Sequence, residues 1–196
     1  MYKLCKTEES AKRQKEIEMG LFAQLKIMRY EDITVTALCE RMNMPRKAFY
    51  RYFDSKDDAL AALIDHTMSD YSGFSGDFTD SKRRSLILEL EEYFKFWYEK
   101  RSLLIALDRS GLVGTLMDRV INYPINDRIA VIKFLPDEDE RMREKVFHFA
   151  LCGLVYMMIE WYRDSFKTSI SDMAKAACRM FNTPLFPNLE TLGFDL

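Results

Sequence analysis

Apolar residues recur at helical spacing along almost the whole chain. No run of strict apolar–polar alternation is bounded by hairpin turns, so the pattern predicts an all-α protein. Between residues 8 and 28, Ile17, Leu21, Leu25 and Met28 fall at i, i+4, i+8 and i+11 on one face. Thr7 stands where a cap is needed, and Glu8 and Glu9 suit the positive end of that helix. After a connection over residues 29–33, Thr34 can cap a short second helix, VTALCERM. Asn43 tolerates the left-handed conformation that ends a helix, and Pro45 suits the first turn of the next one, PRKAFYRYF. Ser55, with Asp58 three residues on, caps a fourth helix whose apolar face is Leu60, Leu63, Ile64, Met68 and Tyr71.

Residues 73–81 cluster Gly, Ser and Asp and read as a loop. Helices are expected over about 82–100 and 102–109, with Gly111 and Gly114 loosening the next segment. Pro124 interrupts the stretch near 122–126, because it removes a donor and clashes with the preceding turn. A long helix opens after Pro136, with the acids of DEDE at its start, and runs to about 165. A last helix opens at Ser169 or Ser171 and stops before Pro184.

Composition adds constraints. The 196 residues are 48% hydrophobic and 31% charged, which fits a soluble globular chain long enough for a sizeable core. The net charge of −2 hides an asymmetry. Residues 1–60 carry 12 Lys and Arg against 10 Asp and Glu. Within residues 41–56, Arg41, Arg46, Lys47, Arg51 and Lys56 face Asp54 alone. A compact positive patch on an acidic chain suggests a polyanionic partner with a defined footprint, although a solvated charged face would give the same count. Cys5, Cys39, Cys152 and Cys178 form no C-x-x-C pair, so free thiols in a reducing cytoplasm are expected, without a disulfide frame or zinc site. The most apolar run, residues 146–162, contains His148 and Glu160 and is shorter than a membrane span. Nucleophile elbow, phosphate-binding glycine loop and H-E-x-x-H are all missing, so no enzyme, metal or cofactor is indicated.

The stretch NMPRKAFYRYFDSKD, residues 43–57, combines these signals. At 100° per residue Phe49 and Phe53 share one face, while Lys47 and Arg51 share the opposite one, flanked by Ala48 and Tyr50. A short amphipathic helix with a basic outer face, coming after a tight turn, is the form of a helix-turn-helix reading head. ITVTALCERMNMPRKAFYRYFDSKDDAL resembles the TetR family of bacterial transcription regulators: a Thr-initiated helix, a turn, a helix ending Tyr50-Arg51-Tyr52-Phe53, then Asp54-Ser55-Lys56-Asp57. The specific motifs cover about residues 17–64. Arg29 and Asn43 stand where the family commonly has Gly, Pro45 replaces a frequent Ser or Thr cap, and Lys47 replaces a frequent Gly.

The resemblance implies a three-helix DNA-binding domain over residues 1–54 and a larger helical regulatory domain over 55–196. It implies a DNA-facing set of Thr34, Thr36, Pro45, Arg46, Lys47, Ala48, Tyr50, Arg51, Tyr52 and Lys56. Tyr50, Tyr52 and Lys56 would meet phosphates, and residues 46–48 would choose sequence. It also implies a homodimer on a near-palindromic double-stranded operator and a small-molecule effector, most commonly as a repressor. Phe149, Gly153, Met157 and Trp161 on the apolar run are candidates for the dimer interface. Trp97, Met117, Tyr123, Tyr156, Met158 and Glu160 are candidates for the effector pocket, as wide or adaptable side chains with one acid. Two other readings stay open: a helical small-molecule-binding or enzymatic protein with a degenerate head, and a ligand-independent regulator answering to a protein partner.

Overall fold

The structure is a computed structural model that describes residues 2, 3, 5–74, 85–122 and 140–182. The side chains of 72–74, 140, 142–144 and 182 are not part of the description. The loop expected at 73–81, the interruption at Pro124, the helix start at Pro136 and the candidate Tyr123 therefore fall wholly or partly outside it. Among the described residues every regular element is helical, as the periodicity predicts. The chain forms two compact units.

The first unit holds α1 (Glu8–Leu25), a 3-10 turn (Tyr30–Asp32), α2 (Val35–Arg41), α3 (Arg46–Phe49), α4 (Lys56–Phe74), α6 (Arg101–Arg109) and α7 (Val113–Ile121). α4 packs with the head helices here, so the division expected between residues 54 and 55 runs through this unit. Its core is the predicted stripe of Ile17, Leu21 and Leu25 against Leu38, Phe49, Phe53 and Ile64, all fully buried. Each such side chain contributes about 1.5–3 kcal/mol by leaving water.

The helix ends follow local chemistry. Thr7 accepts from the Ser10 backbone N–H at 3.2 Å, with Ser10 reaching back to cap Thr7. Ser55 Oγ accepts from the Asp58 N–H at 3.1 Å, and Asp58 Oδ2 accepts from the Asp54 N–H at 3.2 Å. Gly111, at φ 69°, closes α6 with bonds from its own N–H to Asp108 and from Leu112 to Leu107. Gly114, expected to loosen the chain, instead lies inside α7.

Three polar side chains on α1, Gln14, Glu18 and Gln24, are buried with the apolar stripe, and two of them have clear partners. Glu18, only 1% exposed, receives a bond from His66 of α4, whose Nδ1 lies 3.0 and 2.9 Å from its two carboxylate oxygens. Gln14, 3% exposed, binds the N-terminal residues. The hydrogen bond to Glu18 holds the His66 pKa above its usual value, outweighing burial; Lys15 works against the shift and Asp65 with it. A raised folded-state pKa means that the pair stabilises fully below the unfolded value of about 6.5 and fades as pH rises through the folded one. Urea denaturation from pH 5.5 to 8.5 should therefore show an advantage of the natural protein over His66→Gln that shrinks toward the alkaline end. An advantage that grows with pH would contradict this pairing.

The second unit holds α5 (Leu86–Glu99), α8 (Glu140–Arg163) and α9 (Ile170–Asn182). α5 packs along α9 and meets α8 through the edge-on contact of Phe94 with Trp161, 5.6 Å between centroids. Ser169 caps α9, accepting from the Asp172 N–H at 3.1 Å. No described helix is long and apolar enough to cross a membrane.

Candidate nucleic-acid interface

The turn before α3 is a helix stop built on Asn43. Its φ of 48° is left-handed, its N–H bonds the Glu40 carbonyl at 3.0 Å, and the Met44 N–H bonds Cys39 at 2.9 Å. Met44 is buried, pinning the turn, and Pro45 comes next at φ −64°, which its ring presets. Pro45 is the residue just before the helix rather than its first helical residue.

α3 is shorter than the periodicity suggests, four residues in place of nine. The chain continues as a tight turn in which Phe53 N–H still bonds Phe49 at 3.1 Å, so the helical facing persists to Phe53. Phe49 and Phe53 are buried, their rings 5.5 Å apart. Pro45, Arg46, Lys47, Tyr50 and Arg51 are exposed, and Ala48 and Tyr52 are half-buried. Arg46 lies over the Tyr50 ring at 5.8 Å and its Nη2 is 3.4 Å from the phenol oxygen. The two therefore present one flat cationic–aromatic surface. Thr34 caps α2, its Oγ1 accepting from the Ala37 N–H at 3.1 Å, which leaves the hydroxyl proton to be donated outward. Thr36, the second residue of α2, is exposed.

Lys56 departs from the expected set. Its ammonium donates to the carbonyls of Tyr30 and Ile33, each at 2.8 Å, and sits 4.4 Å above the Tyr30 ring. Tyr30 in turn donates its hydroxyl to Asp57, and burial together with that carboxylate raises its pKa. The Tyr30 carbonyl already accepts the Ile33 N–H at 3.1 Å, so the lysine adds a second donor there and serves the Ile33 carbonyl, which turns its ammonium toward the 3-10 turn. Lys56→Met keeps the aliphatic stem but removes the charged donor shared by the Tyr30 and Ile33 carbonyls, leaving Tyr30 only its backbone bond from Ile33. We expect the unfolding free energy in urea to fall by about 1–3 kcal/mol. An unchanged midpoint would return the lysine to the outer face.

The body residues separate. Trp97 and Met158 are fully buried core of the second unit, whereas Tyr156 and Glu160 stand on the exposed side of α8. The two pairs thus differ in exposure, one within the core and one on the surface. Glu160 pairs with Arg163 at 3.2 Å. Met117 is half-buried on α7 in the first unit. Trp161 is not a free interface residue. It is 4% exposed, packs edge-on against Phe94 and Phe166, and donates its indole N–H to the Thr168 carbonyl at 2.8 Å. Phe149 and Gly153 are exposed and Met157 is half-buried. A groove of about 530 Å³ beside Arg51 and Tyr52 is lined by Thr7, Ser10, Lys12, Arg13, Glu9 and Glu16. Its mixed charge suits water and salt rather than an apolar effector.

Sequence gives no sign that Lys3 bonds the turn at the end of the candidate face, with Tyr2 and Cys5 on either side of it bonded to Asp65 and Gln14. The polar identity of Gln14 beside an apolar stripe is the one local signal of a buried partner for Lys3 and Cys5. No family model and no curated protein matches the chain. A solved structure shares the fold. It is that of the fatty acid degradation regulator FadR from Bacillus halodurans, with a TM-score of 0.58 at 15% identity, covering 88% of this chain and 96% of that one.

Proposed function

We propose that this chain is a homodimeric DNA-binding transcriptional regulator of the TetR kind, a cytoplasmic repressor released from its operator by a small-molecule effector. The observation that carries the DNA-binding reading is the one-sided turn-and-helix of residues 43–53. Phe49 and Phe53 are buried on one side, and Arg46, Lys47, Tyr50 and Arg51 are exposed together. Arg46 and Lys47 reach base edges at the tip, with Pro45 and Ala48 setting the closeness of approach. Thr34, Thr36, Tyr50, Arg51 and Tyr52 hold phosphates on either side. The solved regulator supports this reading through its fold.

Dimerisation uses the exposed face of α8, where Phe149, Gly153 and Tyr156 recur at i, i+4 and i+7. No side chain crowds the position of a Cβ on Gly153, which leaves room for a second helix. Two heads related by a two-fold axis read a near-palindromic site, with half-sites about one helical turn or a little more apart. Titration of a random duplex over a series of salt concentrations tests the DNA-binding reading. Affinity should fall steeply and log-linearly with salt, and salt-independent or undetectable binding by folded protein would sink it.

A further inference from the structure

Tyr2, Lys3 and Cys5 form a strap that joins α1 and α4 to the turn at the end of the candidate face, which Lys3 alone touches. The Lys3 N–H bonds the Tyr52 carbonyl at 3.1 Å, and its ammonium donates to the Tyr50 carbonyl at 3.0 Å while pairing with Asp54 at 3.2 Å. The strap is anchored from beneath by Gln14. Its amide nitrogen donates to the Lys3 carbonyl at 3.0 Å, and its amide oxygen accepts from Cys5 Sγ at 3.1 Å. This explains an amide buried at that place in α1: both of its ends are used by the strap. At the other side, the Tyr2 hydroxyl donates to Asp65 Oδ2 at 2.9 Å, and the ring stands edge-on to His66 at 5.8 Å. Asp65 itself is gripped by Arg119 of α7 through two parallel bonds, one of them Nε to Oδ1 at 2.8 Å. A continuous chain of contacts thus runs from α7 through α4 to the carbonyls of Tyr50 and Tyr52.

We propose that Tyr2 and Lys3 are positioning residues for DNA binding. Their strap holds the turn at 50–54 in place, so that the side chains of Tyr50, Arg51 and Tyr52 are aimed before DNA arrives, and it ties that aim to the Asp65–Arg119 pair. The proposal rests on the DNA-binding reading above. Three features favour it over a direct role for Lys3 at a phosphate. The lysine charge is balanced by Asp54, its ammonium points at a carbonyl of its own chain, and its backbone is bonded at both N–H and C=O. A segment held at this many points adds little ordering cost when DNA binds, and releasing it restores that cost.

The test compares Lys3→Ala, Lys3→Arg and Tyr2→Phe with the natural full-length chain, reading duplex affinity across a salt series and amide exchange at Lys3. Tyr2→Phe removes one hydroxyl and no charge, so the fold is kept. We expect Lys3→Ala and Tyr2→Phe each to weaken DNA binding about five- to tenfold with an unchanged salt slope. Amide exchange at Lys3 should quicken in both, and Lys3→Arg should restore affinity. A slope reduced by about 0.9 per head in Lys3→Ala, with Tyr2→Phe unaffected, would make Lys3 a phosphate contact and overturn the proposal. So would natural affinity in both variants. Natural protein that binds no duplex would overturn the DNA reading itself, and this proposal with it.

Discussion

Arg46→Ala/Lys47→Ala protein should fold normally and lose its operator. Both side chains are exposed on a four-residue helix, so circular dichroism and the urea midpoint should stay where they are. DNA affinity should not. A well-placed basic side chain at a guanine edge discriminates by about 1–3 kcal/mol, and a dimer presents each of these residues twice. The affinity at physiological salt should therefore fall at least about a hundredfold. The salt series separates two roles for these residues. Each cation that neutralises a phosphate contributes about 0.9 to the slope, so four lost phosphate contacts would flatten it by about 3.6. Loss of affinity with the slope retained would assign both residues to base edges. Full affinity in the double variant would remove α3 from the interface altogether.

Phe149→Asp should convert a dimer to a monomer. Phe149 is 73% exposed, far more than a large apolar ring on a helix without a partner would favour, and Tyr156 on the same face is 56% exposed. A carboxylate placed at that point in two copies brings like charges together in a drying interface. Light scattering at micromolar concentration should give a mass near the 23.2 kDa of one chain for the variant and twice that for the natural protein. Operator affinity should drop with it, because the second head no longer binds at the high effective concentration that linkage to the first provides. A natural protein that already runs at the mass of one chain would remove the dimer from the account.

What is legible in the sequence divides by distance along the chain. Thr7, Thr34, Ser55 and Ser169 cap the helices they precede because capping involves residues only three positions away. Asn43 can be placed in the left-handed region for the same reason, and the burial of Phe49 and Phe53 follows from periodicity alone. Lys56 is misplaced because its acceptors lie 23 and 26 residues earlier, and nothing local distinguishes a lysine at a helix start that faces solvent from one that faces a turn. Trp161 is misplaced because residues 146–162 are apolar nearly all round. Which side of such a helix is core is decided by the aromatic face of α5, where Phe94 and Tyr98 receive the indole. The same ambiguity groups Tyr156 with the buried Met158 as pocket residues, although two positions along a helix point them to different sides. The strap escapes notice because its contacts join residues 2, 3 and 5 to 14, 50, 52, 54 and 65.

The central claim is that residues 43–53 read duplex DNA as one of a symmetric pair of heads. The most direct measurement is selection from a random duplex pool with purified full-length protein, with Arg46→Ala/Lys47→Ala as the control. Lys56 is unsuited to that control, since its ammonium braces the fold. The account predicts an enriched motif with two-fold symmetry that is lost in the control. No enrichment at low salt from folded protein, or the same motif from the control, would contradict it.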